Sequence, residues 1–111
     1  MVVETFFSLE VDDMARATAF YVGALAATVT YSSPHWTSLH VAGVRIGLFA
    51  RPGHIRGRTG IHFVVESLPA ACAAIEDAGG TIASSPIEVA RDIVIAEAID
   101  TEGNTFTLRR L

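Results

Sequence analysis

The 111-residue sequence predicts an α+β fold in which one βαβββ unit is used twice, first across residues 1–52 and again across residues 60–111 of a single domain. Three observations predict it. Each half opens with an apolar strand-like run that gives way to helical spacing. Each then continues with three further β-rich segments. The tripeptide Ser-Ser-Pro also recurs, as Ser32-Ser33-Pro34 and Ser84-Ser85-Pro86, just after the second strand of its half.

The first strand is read over Val3 to Val11. It ends in a period of two, with Phe7, Leu9 and Val11 on one face and Phe6, Ser8 and Glu10 on the other, as in a half-buried strand. Asp12 or Asp13 then offers a carboxylate to the free N–H groups of a first helical turn, and Met14, Ala17, Phe20, Tyr21, Ala24 and Leu25 recur at helical spacing. Three β segments follow, Ala27 to Tyr31, His35 to Val41 and Val44 to Ala50, the last two joined by the short turn Ala42-Gly43.

The second half repeats this order. A strand over Ile61 to Val65 leads to an N-cap at Ser67, Pro69 in the first turn, a helix through Ala-Ala-Cys-Ala-Ala-Ile-Glu-Asp, and a stop at Gly79-Gly80. Thr81 to Ala83, Ile93 to Ala98 and Thr105 to Leu108 complete the unit, with Asp-Thr-Glu-Gly-Asn as a tight turn before the last strand.

Composition excludes several function classes. Half of the residues are hydrophobic, enough for a core without staples, and the single cysteine, Cys72, rules out an internal disulfide framework or a cysteine-based zinc cluster. Among alanines on a helix it reads as a small packing residue. A formal charge of -4 with no aromatic and basic stripe opposes nucleic acid as a partner. Apolar runs are only strand-sized and the N-terminus lacks a basic, then apolar, leader, so no membrane segment is expected and the chain reads as cytoplasmic. The absence of lysine and the abundance of alanine point to a GC-rich bacterial source. One stretch runs against the net charge: Arg51, Arg56 and Arg58 fall with His54 in a loop punctuated by Gly and Pro. Two readings stand for it, a solvated linker and a cationic lip over a pocket for an anionic group.

Three motifs carry a resemblance. Val-Asp-Asp-Met-Ala-Arg-Ala-Thr-Ala-Phe-Tyr opens the first helix, Ala-Ile-Glu-Asp-Ala-Gly-Gly closes the second, and Asp100-Thr101-Glu102-Gly103-Asn104-Thr105-Phe106 enters the last strand. With the paired βαβββ order, the chain resembles the vicinal oxygen chelate superfamily of glyoxalases, bleomycin-resistance proteins and extradiol dioxygenases over nearly its whole length. It departs in two places: Leu25-Ala26 stands where Leu-Gly is usual, and Thr101 where proline is usual. The resemblance implies a cup-shaped mixed sheet with helices outside and a cavity on the concave face.

On that basis strand parity assigns the faces. Phe7, Leu9, Val11, Leu39, Val41, Ile61, Phe63, Val65, Phe106 and Leu108 turn to the helices. Phe6, Ser8, Glu10, Trp36, Ser38, His40, Gly60, His62, Val64, Thr105, Thr107 and Arg109 turn to the cup. Enzymes of the superfamily hold a divalent cation with His and Glu from the first and last strand of each unit. Carried over, those positions are Phe6, Gly47, Gly60 and Thr107, or one pleat along Ser8, Phe49, His62 and Arg109. Neither set offers converging imidazoles and carboxylates, so no metal or other cofactor is expected. A displaced set of Glu10, His40 and His62 is the metal-dependent alternative, for a glyoxalase-type lyase, isomerase or dioxygenase.

The resemblance therefore implies a small organic ligand in the cup, with Trp36, Phe6 and Phe49 as flat apolar walls and Ser8, Ser38, His40, His62, Thr107 and Arg109 as polar partners. Glu10 is the candidate general base. Trp36 and His62 each keep a second reading as core residues. A homodimer is expected, to cover the open cup. A filled cup would instead mark a catalytically empty dimerisation module.

Overall fold

The computed structural model describes residues Met1 to Leu111 and sorts the strands into two four-stranded mixed sheets of matching order. The first half contains β1 (Phe7–Val11), α1 (Met14–Leu25), β2 (Thr28–Ser32), β3 (Trp36–Val41) and β4 (Val44–Ala50), in sheet order β1-β4-β3-β2. The second contains β5 (Gly57–Val65), α2 (Leu68–Asp77), β6 (Thr81–Ala90), β7 (Ile93–Ile99) and β8 (Asn104–Arg110), in order β5-β8-β7-β6. In each half the opening strand pairs parallel with the closing one, and the other pairings are antiparallel. The helix carries the chain away from the opening strand and the meander returns it alongside.

Local chemistry sets the helix ends. Asp13, not Asp12, caps α1, accepting from the Arg16 N–H at 3.0 Å, while Asp12 turns away to accept from the Gly53 N–H at 2.9 Å. Ser67 caps α2 through the Ala70 N–H at 3.2 Å, with Pro69 in the first turn. α1 closes on Ala26 in the left-handed region, at φ 52°, where glycine is the usual residue.

Both halves share one core. Leu9, Val11, Leu39, Ile46 and Leu48 from the first sheet meet Ala96, Ala98, Phe106 and Leu108 from the second beneath Phe20, Tyr21 and Ile75 of the helices. Phe20 and Tyr21 of α1 reach Phe106 across the molecule, and Phe63 stands edge-on to Phe106 with ring centroids 5.2 Å apart. The helices also pack on each other. Strand parity holds for Leu9, Val11, Leu39, Phe106 and Leu108, which are buried, and for Ile61, Phe63 and Val65, which pack on the core's margin.

Three boundaries differ from the sequence reading. β1 begins at Phe7, and Val2 and Val3 are exposed rather than paired. β6 runs to Ala90 instead of stopping near Ala83, because register shifts after Ile82, Ser84 and Glu88 absorb Pro86 without ending the pairing. The second Ser-Ser-Pro therefore lies inside a strand. β5 starts at Gly57, with an irregular register between Arg58 and His62. Phe7 also departs from its expected packing: it is 50% exposed, at the start of β1 where it lines a groove between the halves.

The Asp100–Asn104 segment joins the halves. Its Glu102 carboxylate, fully buried, accepts from the backbone N–H groups of Asp12 and Asp13 at 3.0 and 2.9 Å and from Arg16 at 2.8 Å. The Asp100 carboxylate accepts from the Tyr21 hydroxyl at 2.5 Å, and the Asn104 amide donates to the Glu10 carbonyl at 2.9 Å. The matching turn of the first half, Ala42-Gly43, is too short to reach α2 in this way. At that end the halves leave an apolar groove of about 750 Å³ lined by Phe7, Leu25, Val44, Ile61, Phe63 and Val65.

Candidate ligand site on the concave face

The sheet faces turned away from the helices carry the candidate residues in cross-strand rows. In the first sheet Ser8, Gly47 and Ser38 are neighbours, as are Glu10, Phe49 and Trp36; His40 lies beside Arg45. In the second sheet His62, Thr107 and Glu97 form one row and Val64, Arg109 and Ile95 the next.

Trp36 organises the first wall. Its indole lies over Gly47, so close that a Cβ there would sit 2.0 Å from the ring, and its Nε1–H donates to Ser38 Oγ at 2.9 Å. A glycine inside a strand gives up side-chain packing, and here the vacated space is taken by the ring. Phe6 stands edge-on to Trp36 at 6.1 Å and Phe49 tilts against it at 6.4 Å. Phe6 and Phe49 remain 39% and 42% exposed, so this aromatic surface is open rather than packed away.

The structure thus gathers Phe6, Ser8, Trp36, Ser38 and Phe49 on one wall. Ser38 is covered by the indole and Thr107 by its neighbours, so both are nearly buried, whereas His40, His62 and Arg109 are exposed. Glu10 stands at the seam between β1 and β5. There Ser8, Glu10, Arg58, Thr59 and Asn104 line a cleft of about 410 Å³, and Arg51 pairs with Glu10 at 3.1 Å.

The cationic-lip reading of the Arg51 to Arg58 loop needs correction. Arg56 binds Asp12 at 2.5 Å and the Glu102 carbonyl at 2.7 Å, and Arg58 reaches over β8 to Glu97 at 2.5 Å. With Arg51 held by Glu10, all three cations are matched by carboxylates. His54 is not a solvated linker residue either. Its side chain is buried, with Nδ1 3.3 Å from Asp12 Oδ1. The Gly53 N–H bond, opposed by burial and helped by the charges of Arg56 and His54, holds the Asp12 carboxyl below its usual pKa. Glu97 and Glu4, which pairs with Arg45 at 2.9 Å, are concave-face residues that sequence reading missed. Partners 39 and 41 residues distant leave no local signal, although Glu97 lies in an alternating strand whose parity could have placed it on this face.

The metal positions implied by the resemblance do not fit a metal. Gly47 is roofed by an indole, and nowhere in the chain do three or more His, Cys, Asp or Glu side chains gather as a metal requires. Glu10, His40 and His62 stand apart, on strands of two sheets, so the displaced set is not assembled within the chain.

A family model described as "Glyoxalase-like domain" matches residues 6–109. The chain belongs to this glyoxalase-like family. Solved structures agree on the fold of the glyoxalase-like chain at low identity. A variant of the fosfomycin resistance protein FosX from Listeria monocytogenes, crystallised with Mn(II) and 1S,2S-dihydroxypropylphosphonic acid, is 20% identical with a TM-score of 0.82, covering 98% of this chain and 90% of that one. A glyoxalase/bleomycin resistance protein/dioxygenase family enzyme from Burkholderia phytofirmans is 20% identical with a TM-score of 0.79, covering 95% of each chain. A hypothetical protein from S. aureus is 17% identical with a TM-score of 0.79, covering 100% of this chain and 95% of that one. No curated protein sequence matches significantly. No helix of this glyoxalase-like chain is long and apolar enough to cross a membrane.

Proposed function

We propose that this glyoxalase-like domain binds a small organic molecule on its concave face, without the divalent metal used by the enzymes it resembles. The supporting observation is Trp36: a half-buried indole set against Gly47, hydrogen-bonded to Ser38 and flanked by two exposed phenylalanines. A core tryptophan is fully buried, whereas a half-buried one beside exposed aromatic neighbours suits a stacking wall. In this reading Ser8 and His40 on the first sheet and His62, Thr107 and Arg109 on the second supply polar contacts to the ligand, and Glu10 at the seam is the candidate base. Pairing of two copies in the bacterial cytoplasm belongs to the same reading: the open concave face, with Tyr31 58% and Val64 58% exposed, is the kind of surface a second copy covers.

The test is a thermal-shift screen of the purified chain against small aromatic compounds and, separately, against Zn, Ni, Mn and Fe(II). A ligand that binds only the folded chain raises its melting temperature by mass action. Shifts with organic compounds that vanish in Trp36→Ala support the proposal. A metal-dependent shift removed by His62→Ala or Glu10→Ala instead overturns the metal-free reading, and light scattering at micromolar concentration reports the dimer.

A further inference from the structure

We propose that the apolar groove between the halves is a second binding site, for a neutral, largely hydrocarbon molecule carrying one secondary amide that pairs with the free edge of β5. The site goes beyond the concave-face reading, since none of Trp36, Phe6 and Phe49 lines it.

The lining sets the ligand's charge. The groove of about 750 Å³ holds no Asp, Glu, Arg or Lys side chain, and His62 is its one polar side chain. Arg45 stands between two lining residues, Val44 and Ile46, but turns to Glu4 and to the Phe6 ring. An ion entering the groove would lose water and gain no partner, so a neutral ligand is favoured. Phe7, Val44 and Val64 line the groove and are each roughly half exposed, apolar surface that nothing in the chain covers. The β3–β4 turn walls one side through Val41 and Ala42, and the helices close another through Leu25 and Ala71. Its volume falls within the roughly 300–1,000 Å³ of small-molecule sites.

β5 supplies the polar contact. A cavity over one face of a strand touches alternate residues, but consecutive residues from Gly60 to Val65 all line this one, so it opens on the strand's edge. β5 stands at the end of its sheet and is paired only with β8. In that parallel ladder Val65 sends its carbonyl to the Leu111 N–H at 2.8 Å, so Phe63, two residues back, also faces β8. The N–H and C=O of the alternate residues, His62 and Val64, therefore point to the open edge. A donor and an acceptor from one residue match the acceptor and donor of one secondary amide, the pairing that an added strand makes. With only His62 and Val64 offering their edge, the groove suits one amide and is short for a strand.

The full chain, isotope-labelled, is titrated with N-hexylbenzamide, with hexyl benzoate, which lacks the amide N–H, and with the para-carboxylated analogue of the amide. Backbone and indole N–H resonances locate the site, and calorimetry gives the affinities. The amide should move the backbone signals of His62 and Val64 and leave the Trp36 indole signal in place. The ester should bind about threefold to tenfold more weakly for want of one hydrogen bond, and the carboxylate about tenfold or more. Ala71→Phe fills the groove and should abolish binding, with Ala24→Leu as the second filling variant should the first fail to fold. Equal affinity for amide and ester overturns the pairing with β5, and equal affinity for the carboxylate overturns the neutral-ligand assignment. Failure of all three to bind, or binding that moves the indole signal instead, overturns the groove as a small-molecule site. So does light scattering in which the filling variants separate a dimer, which would make a second copy the occupant.

Discussion

The Glu102 carboxylate grips the Arg16 guanidinium through both oxygens, Nε to Oε2 at 2.8 Å and Nη2 to Oε1 at 3.0 Å. Burial alone would raise the Glu102 pKa, but hydrogen bonds from Arg16, Thr101 and the Asp13 N–H, with the charge of Arg16, hold it at about 2. Because the folded value lies below the ordinary one near 4.5, the contribution is complete above that pH and is lost as pH falls toward 2. Arg16 is half exposed, so solvent reduces the gain to about 2 kcal/mol. Glu102→Gln should lose this at neutral pH and show a shallower fall between those values, as measured by urea midpoints across a pH series.

Ala26 ends α1 with φ 52°, a conformation that costs a side-chain-bearing residue about 1 kcal/mol or more. Ala26→Gly removes that strain at the cost of a looser unfolded chain. A net gain of about 0.5 to 1 kcal/mol in chemical denaturation is expected. A loss of stability would mean that the turn is not held left-handed.

Thr37 is fully buried on the helix side of β3, and its hydroxyl has no hydrogen-bond partner. Thr37→Val keeps the shape and removes the unpaired group, which should raise stability by about 1 kcal/mol. Its melting curve beside that of the parent chain decides this, and a lowered midpoint counts against the unpaired hydroxyl.

Gly47→Ala puts a methyl group where the Trp36 ring lies. The indole must leave its bond to Ser38, so tryptophan emission should shift to the red and stability should fall by about 1 to 3 kcal/mol. Unchanged emission would sink the stacked geometry.

Strand parity is tested by contrast. Leu108 is wholly buried, and Leu108→Ala should cost about 2 to 5 kcal/mol while any concave-face ligand still binds the folded fraction. Trp36→Ala should do the reverse, sparing the fold and losing the ligand. Melting and binding measured on both variants separate the roles.

Fold order was legible because each half writes its strands in period two and its helix in steps of three and four, bounded by Asp13, Ser67 and the Gly79-Gly80 stop. β6 was not, since serine and proline punctuate a sequence in the same way whether a strand ends or bulges. The aromatic wall was legible as parity, and Gly47 opposite a tryptophan-bearing strand was a usable signal that went unread. The ion pairs were out of reach. Arg58 meets Glu97 and Arg16 meets Glu102 only after the chain has folded over itself, and nothing near either residue announces the other.

The joining of the halves by side chains has its own consequence. β1 and β5 are the free edges of separate ladders, and no backbone hydrogen bonds zip them together. Each half therefore keeps its own register, and a slip or inserted residue in one is not copied into the other. That independence is visible in β6, which runs to ten residues with three irregularities while its counterpart β2 has five residues and one. Two copies of one unit can drift apart in length and chemistry, one wall becoming aromatic and the other a mixed row of His62, Thr107 and Glu97, as long as the Asp100–Asn104 latch still closes.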